Sequence, residues 1–389
     1  MYFDAHRSEP TADGSCDHSD TAPQQNLNLR NRACAQLNGV AMTLTPPIAI
    51  IIVSFRNSED IVDCMRALSR AEADPHFSIF IAENGGSDAM GQLLDAVSTA
   101  GLCRPLSVLR EAIKPLAALR QSAFVLEGDT PGHGRLVRIA EMPENLGYAG
   151  AINVWLRCLL DVPDWQGCWI LNPDTQPTPS ALAELVNYST ERRKGMVGSR
   201  ITALTTPERV HTRGLAWHKF AGRTTTVDHM ESGCIEPEPE RIEARLDAPS
   251  GSSFYVTRKM IEQIGLMDER YFLFFEDLEW GYRAKAIGGV GHAHRSIVPH
   301  KGGTTTGSMG RRSAISPLVV YLEFRNRILF VRDKHWAWLP WTVLVEAAHA
   351  ALFLAAGSTA NMWTAFRGLV AGLRGEVGRP DRILISHRK

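Results

Sequence analysis

The 389-residue chain predicts an α/β fold: a Rossmann-like, mostly parallel sheet with flanking helices, extended by a helical C-terminal region. Three observations carry this reading. Pro47-Ile-Ala-Ile-Ile-Ile-Val-Ser54 and Trp165-Gln-Gly-Cys-Trp-Ile-Leu171 are continuous apolar runs, as expected of strands covered on both faces. Between the first run and a second strand, Phe77-Ser-Ile-Phe-Ile-Ala82, the residues Ile61, Val62, Met65 and Leu68 recur at helical spacing. Strand, helix, strand in that order makes a right-handed crossover and hence a parallel sheet.

In chain order, residues 1–45 are rich in Asp, Ser, Asn, Gln and Ala without a sustained apolar period, and are expected to form a disordered tail. A main domain is expected over 46–310 and a helical region over 311–389. The first helix runs from Ser58, its expected N-cap, to Ala71, with Glu59 and Asp60 in its first turn. The second strand ends in Glu83-Asn84-Gly85-Gly86-Ser87-Asp88, a polar turn where a ligand can meet backbone. From Gly91 to Gly134 helical spacing gives way to pieces broken by Pro105, Pro115 and Pro131, part of which reads as an insertion. The sheet resumes at Gly134-Arg-Leu-Val-Arg-Ile139. Asn145-Leu-Gly-Tyr-Ala-Gly-Ala-Ile-Asn153 then enters a helix. Its glycines can cradle phosphate or merely let the helix pack closely on the sheet. Asn172-Pro-Asp174 stands at the carboxyl end of the next strand, where open α/β sheets bind ligands.

The segment Glu231 to Glu243 has five glutamates and reads as a solvated loop. Pro249-Ser-Gly-Ser-Ser-Phe-Tyr-Val256 reads as a turn entering a strand. Tyr271-Phe-Leu-Phe-Phe-Glu-Asp-Leu-Glu-Trp280 sets Glu276 and Asp277 against large apolar side chains, where desolvation raises a carboxyl pKa and a cation lowers it. Asp277 also sits at the start of a helix, where an acid is an ordinary cap. His300 precedes a flexible polar loop and, with Asp174, forms a partial ligand set for a divalent ion.

Composition narrows the setting. With 44% hydrophobic and 22% charged residues the chain buries a substantial core, and a formal net charge of zero gives no reason to expect nucleic acid. The seven cysteines are scattered, without metal-site spacing, which fits a reducing, cytoplasmic setting; no secretory signal is read at the N-terminus. From Arg311 on, twelve Lys and Arg stand against five Asp and Glu, with Trp336, Trp338, Trp341 and Trp363 among them. That composition suits either helices lying on the inner face of a cell membrane or a helical cap on the main domain.

The ordered set Ile51-Ile-Val-Ser-Phe55, Ala82-Glu-Asn-Gly-Gly-Ser-Asp88, Asn145 to Asn153, Leu171-Asn-Pro-Asp174, Phe274-Phe-Glu-Asp-Leu-Glu-Trp280, His300-Lys-Gly-Gly-Thr304 and Arg325-Asn-Arg327 resembles family 2 glycosyltransferases of the GT-A fold, in the rhamnosyl- and galactofuranosyltransferase-like branch. The resemblance covers roughly residues 47 to 335. It implies an inverting enzyme of cell-envelope or exopolysaccharide synthesis that takes a nucleotide-diphosphate sugar and a glycan or lipid-linked acceptor. It further implies Asp277 as general base with Glu276 in support, and Asp174 and His300 as ligands of Mn²⁺ or Mg²⁺. Ser54, Glu83, Asn84, Asn145, Gly150, Asn153 and Asn172 are implied around the nucleotide sugar, with Arg325 or Arg327 as candidate diphosphate contacts. Two departures stand out: Glu replaces the customary Asp at 83, and the DxD-type motif is reduced to Asn172-Pro-Asp174. Rival readings are a non-catalytic nucleotide-sugar-binding module, which needs no acid at 277, and a nucleotidyltransferase, for which Arg56 after the first strand is the one supporting residue. A processive synthase would carry a QxxRW motif, which the sequence lacks.

Overall fold

The computed structural model describes residues 34–37, 40–43, 47–106, 119–128, 134–233, 235–302, 314–381 and 383. The tail expected over 1–45 lies mostly outside the described residues; within it, β1 (Cys34–Leu37) and β2 (Val40–Thr43) pair antiparallel.

The organising strand is β3 (Ile48–Ser54), buried along its whole length. Its alternate residues feed opposite layers: Ala49, Ile51 and Val53 enter one core cluster, and Ile48, Ile50 and Ile52 the other. Each fully buried aliphatic side chain contributes about 1.5–3 kcal/mol of transfer free energy, so both layers of the core are anchored on this strand. The first crossover helix, α1 (Ser58–Ser69), starts where expected, but its N-cap is Asn57 rather than Ser58. The Asn57 carboxamide oxygen instead accepts from Ser54 Oγ and Phe55 N, both at 3.0 Å, closing the turn after β3.

Then follow β4 (Phe77–Glu83), α2 (Ser87–Thr99), β5 (Cys103–Pro105), β6 (Gln121–Leu126), β7 (Arg135–Glu141), α3 (Gly147–Leu160) and β8 (Gly167–Leu171). The expected insertion falls partly outside the described residues; what is described, β5 and β6, forms an antiparallel edge beside β7. After α4 (Ala181–Arg192) come β9 (Met196–Ala203), β10 (Thr206–Thr212), β11 (Leu215–His218) and β12 (Arg223–Thr226). The expected loop over Glu231 to Glu243 ends in a short helix, α5 (Pro239–Glu243), and β13 (Ser253–Thr257) and α6 (Arg258–Ile264) follow. The chain continues through α7 (Glu276–Ala286), β14 (Val290–His300), α8 (Pro317–Lys334), α9 (Leu339–Ala355) and α10 (Thr359–Arg374).

Among the described residues the main sheet has ten strands in the order β10-β9-β13-β8-β3-β4-β7-β6-β5, with β14 also on β9. Strands β8, β3, β4 and β7 form the parallel core, and β13 runs antiparallel between β8 and β9. Parallel strands deliver their carboxyl ends to one side, so the turns after β3, β4, β7 and β8 converge.

Helix α8 is a core element, with Val319, Val320, Leu322, Phe324, Ile328, Leu329, Phe330 and Val331 all buried. It packs Leu329, Phe330 and Val331 into one cluster with Tyr271, Phe275 and Leu278. The helix thus forms a wall beside the acid-bearing segment.

Candidate active site

A cavity of about 640 Å³ opens over the converging strand ends. Asn84, Asn145, Asn172, Asp174 and His300 line one part, and Glu276, Asp277, Glu323 and Arg327 line another.

Asn84 follows β4 and fixes the next turn: its Nδ2 donates to Gly147 O at 2.9 Å and its Oδ1 accepts from Leu146 N at 3.0 Å. Asn145 Oδ1 accepts from Gly147 N, also at 3.0 Å. Gly147 has φ +74°, and a Cβ there would stand 2.1 Å from Phe272 O. The glycine therefore permits a backbone contact between the two halves of the site, Tyr148 N donating to Phe272 O at 2.7 Å. Tyr148 Oη bridges Gly251 O at 2.8 Å and Asn172 Oδ1 at 3.1 Å, and burial pushes its pKa up.

Four expected donor-site residues do not line the cavity. Glu83 and Ser54 lie beneath its floor, hydrogen-bonded to each other, and Glu83 Oε1 accepts from Gly85 N at 2.7 Å; they shape the turns rather than the lining. Asn153 is buried and clamps Met267 through both its amide atoms, Nδ2 to Met267 O at 2.9 Å and Oδ1 from Met267 N at 3.1 Å. Gly150 lies inside α3, where a Cβ would meet Leu146 Cβ at 2.9 Å, so close packing accounts for this glycine. Arg325 is also a framework residue, donating to Tyr271 O and Gly378 O at 2.9 and 2.7 Å.

Asp174 and His300 meet across β8 and β14, His300 Nε2 lying 3.0 Å from Asp174 Oδ1. Asp174 Oδ2 accepts from Gly302 N at 3.2 Å. The polar loop after Gly302 lies outside the described residues. Among the described residues no group of three or more His, Cys, Asp or Glu side chains could hold a metal ion. One carboxylate and one imidazole fit a divalent ion whose remaining positions are filled by ligand oxygens.

The acid pair is built by strain and by a clamp. Phe272, Phe274 and Phe275 have φ of 65°, 69° and 75°, a region that bulky residues enter only when their surroundings fix them. Asn326 of α8 supplies the fixing: its Nδ2 lies 3.0, 2.8 and 2.9 Å from the carbonyls of Tyr271, Leu273 and Phe274. The chain so held turns into α7 with Glu276 and Asp277 in the first turn. Asp277 Oδ1 accepts from Leu278 N at 2.8 Å, and Oδ2 from Gly251 N at 2.9 Å. The carboxylate thus answers an N-terminal helix N–H and also faces the cavity.

Burial raises the Asp277 pKa, opposed by the backbone N–H groups of Leu278 and Gly251. Glu276 is held well above the usual carboxylate range by burial and by neighbouring Asp277, and its Oε2 is buried without a hydrogen-bond partner. Two N–H groups on one carboxylate and an unpartnered oxygen on the other favour negative charge on Asp277 over Glu276. Glu323, also raised by burial, pairs with Arg327 at 3.1 Å; Arg327 in turn reaches Glu346 at 2.5 Å. Sequence reasoning did not find Tyr148 or Glu323. Tyr148 sat inside a noted glycine-rich stretch, and Glu323 two residues before Arg325-Asn-Arg327.

No family model matches the sequence. The low-salt glycan biosynthesis hexosyltransferase Agl10 of Haloferax volcanii is 24% identical over 248 residues, covering 61% of this chain and 76% of that protein. The N-acetylglucosaminyl-diphospho-decaprenol L-rhamnosyltransferase of Mycobacterium tuberculosis is 26% identical over 229 residues, covering 53% of this chain and 72% of that one. A solved structure of GalNAc-T7 with UDP, GalNAc and Mn²⁺ shares the fold with a TM-score of 0.50 at 12% identity, covering 89% of this chain and 57% of that chain.

Proposed function

The chain is a glycosyltransferase of the GT-A fold, homologous to the family 2 hexosyl- and rhamnosyltransferases just described, and we propose that it inverts the anomeric centre of a nucleotide-diphosphate sugar as it transfers the sugar to a hydroxyl of a glycan or lipid-linked acceptor. Cell-envelope or exopolysaccharide synthesis, at the cytoplasmic face of the membrane, is the setting that agrees with a diphospho-decaprenol-utilising homologue.

The observation that carries this reading is Asp277, an acid at the cavity wall whose two oxygens each accept a backbone N–H beside Glu276, whose pKa burial and Asp277 raise. The acceptor O–H gives its proton to the Asp277 carboxylate as the oxygen attacks the sugar C1. The C1–O bond to the diphosphate breaks on the opposite side, and the nucleoside diphosphate leaves with the electron pair. In its neutral form Glu276 keeps a second negative charge away from the base. Asp174 and His300 would hold a divalent ion, which when bound offsets charge on the departing diphosphate. Asn84, Asn145 and Asn172 present amides on the donor side, where neutral hydrogen-bonding groups suit a base and ribose.

A panel of UDP-, GDP- and dTDP-sugars, assayed with a polyprenyl-diphosphate-linked N-acetylhexosamine as acceptor, tests the reading. Transfer from one donor, with the new glycosidic bond of opposite anomeric configuration by NMR, is expected. A retained configuration would contradict single displacement at Asp277.

A further inference from the structure

We infer that the β11–β12 hairpin and the outer face of α9 form a single surface that docks on an anionic lipid bilayer. The two elements touch: Trp341 Nε1 donates to Phe220 O at 2.8 Å, and the Phe220 ring stands edge-on to Trp338 at 4.7 Å. Despite these contacts Phe220 is 76% exposed, and Trp336 at the head of α9 is 77% exposed.

Along α9, Trp341, Leu344, Ala348 and Leu352 fall on one face by helical spacing and are exposed, Leu344 at 66%. From Pro340 to Ser358 the ionisable residues are Glu346 and His349. Glu346 is fully buried against Arg327, and His349 bonds to Glu346. The outward face therefore carries no charge, which is costly for a helix left in water. Trp336–Ala355 is long and apolar enough to cross a membrane. However, its inner face is committed to α8 through the Glu346–Arg327 pair and through Ala350 and Phe353, which cluster with Val320 and Phe324. It is therefore read as lying along the bilayer surface rather than spanning it.

Charge selects the occupant. From Leu215 to Val227 the hairpin carries His218, Lys219 and Arg223 and no acid. A second copy docked by the same face would set these bases against themselves, a repulsive arrangement. Anionic headgroups complement them, and indoles beside an apolar helix face match the depth of a bilayer interface. The same hairpin contributes Leu215 and Thr224 to the cavity wall, so docking sets the cavity mouth at headgroup level. The docking surface stands without the proposed chemistry; the benefit of that orientation rests on the lipid-linked acceptor reading.

Flotation of the full chain with phosphatidylcholine vesicles, with and without phosphatidylglycerol, tests the inference independently of turnover. Wild type is expected to float with the anionic vesicles and to be released by salt. The double charge reversal Lys219→Glu/Arg223→Glu is expected to lower the bound fraction about tenfold or more, and Leu344→Glu to lower it on both vesicle types. All three proteins are expected to melt alike and to transfer equally to a water-soluble acceptor. Binding unaffected by any of these changes would overturn the inference. So would no vesicle binding together with a dimer that Leu344→Glu dissociates in sedimentation equilibrium, which assigns the face to a second copy.

Discussion

Glu276 has a buried oxygen without a hydrogen-bond partner, and its effect on stability has a definite sign. Its folded-state pKa lies well above the ordinary value of 4.5, so between those two values the folded state holds a proton that the unfolded chain has lost. Stability is therefore full below the unfolded value and falls as pH rises above it. Glu276→Gln should raise the melting temperature at about pH 8 and flatten the decline from about pH 5 upward. A melting temperature lower than wild type at the higher pH would show that the charged form is welcome there. Asp174 and His300 make a different residue-scale claim, that two protein ligands suffice only when the donor diphosphate completes the shell. Calorimetry should find donor binding lost in EDTA, restored by Mn²⁺ or Mg²⁺, and sharply weakened by Asp174→Ala. Full affinity in EDTA would refute the metal reading.

At the scale of elements, the segment Tyr271–Phe275 depends on α8. Three positive φ angles are held by one carboxamide, and losing it takes a donor from Leu273 O and Phe274 O, while Tyr271 O keeps Arg325. Asn326→Ala should cost about 1–3 kcal/mol in chemical denaturation. It should also lower turnover by more than the stability loss explains, because the acid pair loses its fixed approach to the cavity. Normal turnover with normal stability would show the clamp to be dispensable. The acid pair and its aromatic run were legible in the sequence because Glu276-Asp277 beside four large apolar residues is a visible conflict. The clamp was not, since Arg325-Asn-Arg327 was read for its basic side chains as candidate diphosphate contacts, and only the packed structure shows Arg325 and Asn326 buried. Likewise Gly147 and Gly150 looked equivalent in sequence, yet one lets a backbone approach Phe272 and the other leaves room for Leu146 at the head of its own helix.

Across the whole molecule, legibility followed burial. Strands β3, β4 and β8 are covered on both faces and so spell continuous apolar runs. Strands β10 and β12 are partly exposed and written mostly in Thr, Arg, His and Glu, and β11 has only the short apolar run Leu215-Ala-Trp217, too little to mark a strand. They furnish the hairpin that closes the cavity near Leu215 and Thr224. Asn84, Asn145 and Asn172, implied by the family resemblance, line the cavity. Ser54, Glu83, Gly150 and Asn153 were drawn in by the same logic, although their contacts make them framework. The ends of the parallel strands bring Asn84, Asn172 and Asp174 to the cavity, and α7 with α8 brings Glu276, Asp277, Glu323 and Arg327.

The central claim is that Asp277 takes the acceptor proton, and Asp277→Asn tests it most directly. Asparagine keeps the shape and, with one oxygen, can accept from one of Gly251 N and Leu278 N, but it cannot take a proton at neutral pH. Turnover at saturating acceptor should fall about 10²–10⁴-fold, and the acidic limb of the pH–rate profile, set by a carboxyl raised through burial, should vanish. Donor affinity should hardly move, and stability should fall by no more than the about 1–3 kcal/mol of one lost backbone hydrogen bond. Near-normal turnover in this variant, with the acidic limb intact, would contradict the assignment and leave Asp277 as a helix-terminal anchor for Gly251 and Leu278 alone.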